Sequence, residues 1–131
     1  MKLSVLSTVL FVATAGLASA QSYVCVIKPI GEGFIPEQLG MNIDKERKTA
    51  IVFDAFINWA EGKPISAKVR NTAKGDLEIR WNVTLPTSPL QARVRYRVAF
   101  NEAQKTMVMS GTIRNATNRL AGTGTCAEQN F

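Results

Sequence analysis

An antiparallel β-sheet that closes, or nearly closes, into a barrel is the fold predicted for this chain, on three observations. Charged and apolar side chains alternate with a period of two from Arg93 to Phe100, with Val94, Tyr96, Val98 and Phe100 set between Arg93, Arg95 and Arg97. Successive side chains leave a strand on opposite faces, so this segment is a strand with an apolar inner face and a basic outer one. Comparable short segments recur, about eight or nine in all, joined by turns rich in Gly, Pro, Asn and Asp, the pattern of an up-and-down meander. The only two cysteines, Cys25 and Cys126, fall in the first and last of these segments, where a disulfide would rivet the two edges of the sheet together and remove them. A two-sheet sandwich carrying the same bridge is the alternative.

The first twenty residues predict an address rather than a part of the fold. Lys2, the mostly apolar run Leu3 to Leu17 and the small residues Ala18-Ser19-Ala20 have the order of a cleaved secretory signal peptide. The run is shorter than the roughly twenty apolar residues a bilayer core requires, and it carries Ser4, Ser7, Thr8 and Thr14. Cys25 is too far past the cut to be lipidated. The expectation is cleavage after Ala20, leaving residues 21–131 as one β domain in the periplasm or outside the cell, not membrane-spanning and monomeric or weakly associating. Without Lys2 that domain has fifteen Lys and Arg against ten Asp and Glu, a surplus that attracts anionic partners without choosing among them. In an oxidising compartment the two thiols pair, and closing a loop of about 100 residues stabilises by up to about 4.7 kcal/mol in the chain-entropy model. With no histidine anywhere, neither a zinc site nor a Cys-His nucleophile is predicted, and no cofactor.

Along the domain, Gln21 to Lys28 is β-branched and aromatic and reads as the first strand; Pro29 to Pro36, with two prolines and two glycines, is a loop. Glu37 to Ile43 follows as a strand with Leu39, Met41 and Ile43 in phase. Asp44 to Arg47 turns the chain into Lys48 to Asp54, where Ile51 and Phe53 alternate with Ala50 and Val52. Ala55 to Ala60 is too short to assign, and no helix is predicted after residue 20. Ile65 to Arg70 and Asp76 to Thr84 alternate cleanly around a turn at Asn71 to Gly75. A register in which opposed residue numbers sum to 146 sets Arg70 opposite Asp76 and Lys68 opposite Glu78, both favourable pairs. Leu85 to Gln91 is a proline-marked loop into the arginine strand; Lys105 to Arg114 and Arg119 to Cys126 complete the sheet, the last with glycines that permit close backbone approach. Asn82 and Asn115 head glycosylation sequons. Such a barrel resembles in outline the up-and-down barrels of the lipocalin and avidin kind, although the Gly-x-Trp that opens a lipocalin is replaced here by Gly33-Phe34-Ile35.

Two sets of residues are candidates for function. Parity places Arg80, Arg93, Arg95, Arg97 and Arg114 on one outer face with Ser110 and Thr112 among them; planar guanidinium forks and hydroxyls suit phosphate, sulfate or carboxylate groups. No aromatic platform for stacking bases is expected there, so no specific nucleic acid is expected as partner. Ile79, Trp81, Tyr96, Phe100, Met107 and Met109 share the inner face, as core or as the wall of a ligand cavity. Catalysis has the least support: the commonest general base is missing, and the carboxylate pairs Asp54 with Glu61 and Asp76 with Glu78 read as surface acids. The function expected is therefore non-enzymatic binding at the cell envelope, with the arginine face engaging an anionic polymer or lipid head group. Carriage of a small apolar ligand inside the barrel is the alternative, along with enzyme inhibition or a structural envelope role.

Overall fold

The structure, a computed structural model, describes residues 20–131 apart from Glu32, Asn118 and Phe131. The leader expected over residues 1–20 lies outside the described residues except for Ala20. Among the described residues eight strands run in chain order: β1 (Ala20–Ile30), β2 (Gln38–Asp44), β3 (Thr49–Phe53), β4 (Ile65–Asn71), β5 (Leu77–Leu85), β6 (Ala92–Asn101), β7 (Thr106–Ile113) and β8 (Arg119–Glu128), with one helix, α1 (Ala55–Glu61), between β3 and β4. Each strand is antiparallel to the next, and β8 returns to pair with β1, closing the barrel rather than forming a sandwich. Along this seam the pairing runs from Tyr23 opposite Glu128 to Ile30 opposite Ala121. The Cys25–Cys126 disulfide joins two directly opposed residues within it.

Alternation decides the interior. Tyr23, Cys25 and Ile27 of β1, Leu39, Met41 and Ile43 of β2, the odd-numbered residues of β5 and the even-numbered residues of β6 from Val94 to Phe100 all point inward and are buried. Trp81 stacks on Tyr96 with ring centroids 5.6 Å apart, and Tyr23 meets Phe100 edge-on at 4.8 Å, so the aromatic side chains fill the middle of the barrel. Where β8 packs between β1 and β7 it carries glycine: a Cβ on Gly124 would stand 2.6 Å from the Val26 carbonyl oxygen and 3.0 Å from the Met107 Sδ.

The hairpins β2–β3, β4–β5 and β6–β7 gather at one end. Two of them share a pattern, Asp44 through Lys48 to Thr49 and Asn101 through Lys105 to Thr106. In each the first side chain accepts from the backbone N–H three residues on, Arg47 or Gln104, and the lysine takes a left-handed conformation, φ 56° and 55°. A Lys45–Glu102 ion pair at 3.3 Å ties the two loops together.

The β4–β5 register differs from expectation: Lys68 lies opposite Arg80 and Arg70 opposite Glu78, so the opposed numbers sum to 148. The turn is responsible. Gly75 N–H donates to the Thr72 carbonyl, Gly75 sits at φ +87°, and Thr72 N–H donates to the Asp76 backbone carbonyl, a three-residue loop with a left-handed glycine that draws the strands two residues past the expected pairing.

The other end is closed by Phe34 and Ile35, between β1 and β2, and by α1, the helix that was not expected. Asp54 caps it, accepting from Ile57 N–H at 2.8 Å, and Gly62 ends it at φ +72°, donating to the Asn58 carbonyl. Ile57 is fully buried with Ile35 and Leu85, while Phe34 and Phe56 meet edge-to-face at 5.7 Å. Beneath them the Tyr96 hydroxyl donates to the Phe34 carbonyl at 2.7 Å, which latches the loop onto the core.

Candidate functional site: a basic flank and its unpaired arginines

Strands β5, β6 and β7 bring the expected arginines together in rows. Arg80, Arg97 and Ser110 form one row across the outer surface, and Asn82, Arg95 and Thr112 the next. Thr84 and Arg93 form a third, where Arg114 N–H donates to the Arg93 carbonyl at 2.9 Å. Neighbours in a row have Cβ atoms about 4.5–5.5 Å apart, so these side chains share one surface. All five guanidiniums are exposed, as is Thr112, while Ser110 is half-buried.

The five do not form one site. Arg80 Nε lies 3.2 Å and Arg97 Nη1 3.7 Å from the Glu78 carboxylate, and Arg70 reaches the same group at 2.8 Å. Glu78 faces outward yet its side chain is only 7% exposed, because these three long side chains lie around it. The hydrogen bond from Arg70 and the charges of Arg70, Arg80 and Arg97 outweigh the cost of burial and hold its carboxyl below the usual range. One carboxylate thus relieves the repulsion that sets Arg80 against Arg97 and Lys68 against Arg80.

Arg93, Arg95 and Arg114 are different. Among the described residues no carboxylate lies within 4.0 Å of any of them. Together with Asn82, Thr84 and Thr112 they line an open groove of about 640 Å³. Three guanidiniums supply fixed positive charge and planar donor forks, and the hydroxyls and amide supply shorter-range donors, a set that matches oxyanions. Arg70, Glu78 and Thr84 were not among the expected site residues. The dependence of Arg70 on the turn-set register hid its role.

The interior candidates Ile79, Trp81, Tyr96, Phe100, Met107 and Met109 all lie in the core, each at most 4% exposed. Of the carboxylate pairs weighed from the sequence, Glu78 is engaged by arginines, and Asp54 and Glu61 stand at opposite ends of α1. Among the described residues no cluster of three or more His, Cys, Asp or Glu is placed to hold a metal ion, and no helix is long and apolar enough to cross a membrane. Asn82 and Asn115, the sequon residues, are both exposed.

The fold and flank together define an eight-stranded antiparallel barrel with an arginine cluster on its outer wall that no carboxylate among the described residues reaches. Comparison with known proteins finds no matching family model, curated protein or solved structure.

Proposed function

We propose that the protein is a non-enzymatic binding protein of the cell envelope that engages the oxyanions of an anionic polymer or lipid head group through Arg93, Arg95 and Arg114. The observation that carries this reading is the asymmetry between two halves of one arginine face. Glu78 pairs with the arginines of the half near the hairpins, while in the half near α1 no carboxylate among the described residues lies within 4.0 Å of the three guanidiniums around a groove with hydroxyl donors. Unpaired like charges repel and raise the energy of the free protein, and a polyanion bridging them removes that cost while supplying charge-assisted hydrogen bonds.

The test is retention on immobilised heparin and on lipopolysaccharide against a salt gradient, for the parent and for a variant with Arg93, Arg95 and Arg114 all changed to Gln. The triple variant should elute at clearly lower salt, and Arg97→Gln, whose guanidinium is already engaged, should shift elution much less. Equal retention of parent and triple variant on both supports would end the proposal.

A further inference from the structure

A second concavity lies on a different wall of the barrel and has the opposite character. Its floor is Gly40 of β2, which faces outward directly between Val24 of β1 and Phe53 of β3. Glycine in the middle strand leaves a trough between two apolar side chains, and Ile51 extends its apolar wall one row further. Phe53 is 39% and Ile51 46% exposed, although both are large enough to be core residues. Their direction follows from the hairpin: Leu39, Met41 and Ile43 claim the inside, and pairing Asp44 with Thr49 then turns Ala50 and Val52 inward and the bulkier pair outward.

At the α1 end the trough is continued by Phe56 and Asp54, giving an open groove of about 970 Å³, within the size range of small-molecule sites. Its two ionisable lining residues, Asp54 and Glu37, are both acids, on a chain that is basic overall. Asp54 is only 4% exposed. Its Oδ1 is taken by the Ile57 N–H, and its Oδ2 is buried with no hydrogen-bond partner. An unsatisfied buried carboxylate oxygen is costly, and a donor brought by a ligand relieves that cost.

We infer that this groove binds a cationic amphiphile, an alkyl chain or ring lying in the Val24–Gly40–Phe53 trough with a protonated amine directed to Asp54. Charge sign separates this site from the arginine groove. The inference is independent of the proposed function, because it uses other strands and the opposite ligand charge.

The experiment titrates the purified protein with decylammonium, decanol and decanoate below their micellar concentrations, following backbone amide shifts and binding heats. Decylammonium is expected to bind saturably, to shift the amides of Gly40, Phe53 and Phe56, and to bind about tenfold or more tighter at these amides than decanoate, the discrimination expected of one charge-assisted contact. Asp54→Asn, which keeps a capping side chain, should abolish that preference while decanol binding persists. Gly40→Leu, which fills the trough, and Phe53→Lys, which changes an exposed residue, should each weaken decylammonium about tenfold or more. Absence of saturable shifts at Gly40 and Phe53, equal affinity of the amine and the carboxylate there, or an amine preference that survives Asp54→Asn would each overturn the inference.

Discussion

Glu78 and Asp54 are both nearly buried carboxylates, and their surroundings push them in opposite directions. At Glu78 three guanidiniums favour the charged form; at Asp54 burial outweighs the hydrogen bond from Ile57 N–H and pushes the carboxyl up. A lowered folded-state value means that Glu78 stabilises fully above the ordinary glutamate range and that this contribution is lost as pH falls through the folded value. Glu78→Gln should therefore destabilise by about 1 kcal/mol at neutral pH, since the arginine partners are half exposed and screened, and the gap to the parent should shrink in acid. A raised value has the reverse sign: ionising Asp54 costs stability as pH climbs from its unfolded to its folded value. Asp54→Asn should be no less stable than the parent at neutral pH, whereas Asp54→Ala loses the cap and about 1 kcal/mol. Urea unfolding midpoints between acid and neutral pH check both signs, and a Glu78→Gln gap that widens in acid would contradict the ion-pair account.

At the scale of elements, backbone conformation at the turns sets which side chains meet across the sheet. Gly75 has no heavy atom within 4 Å of where a Cβ would stand, so Gly75→Ala tests conformation alone. It should cost about 1 kcal/mol for a non-glycine residue at φ +87°. Gly124→Ala is a packing test, because its Cβ would press on the Val26 carbonyl, which a strand cannot easily move. It should cost more than Gly75→Ala in the same unfolding assay and should perturb the amides of both β1 and β8. Short-range alternation was enough to read β5, β6 and β7 and to place their arginines on one face. The β4–β5 pairing was not legible to the same depth, because two registers of equal parity keep every apolar residue inside and only the closing geometry around Gly75 separates them. The α1 signals, Asp54 at the cap and Gly62 at the end, were present in the chain, but seven residues carry too little periodicity to declare a helix without the barrel end beneath it.

For the whole molecule, closure makes the outer wall a continuous surface divided by charge. The flank of β5 to β7 is basic, and the wall of β1 to β3 has an apolar trough with two acids. The Cys25–Cys126 bridge closes a chain separation of 101 residues at the seam, so Cys25→Ser with Cys126→Ser should lower unfolding stability by up to about 4.7 kcal/mol while the paired β1–β8 strands keep the sheet closed. Loss of β-sheet circular dichroism in that variant under native conditions would show that closure depends on the bond rather than on the pairing.

The sequence by itself determined the strands, the inward and outward faces of β2 and of β4 to β7, the meander and the pairing of its two cysteines, because each depends on alternation or on a choice with one member. Tertiary structure alone decided that Glu78 would pair with Arg80 and Arg97 and that no carboxylate among the described residues would reach Arg93, Arg95 or Arg114. It also decided that Ile51 and Phe53 would face outward beside Gly40 and near a buried Asp54. Those outcomes depend on register and on the phase passed from one strand to the next through its turn, and a displacement of two residues changes every cross-strand neighbour without moving one apolar side chain out of the core.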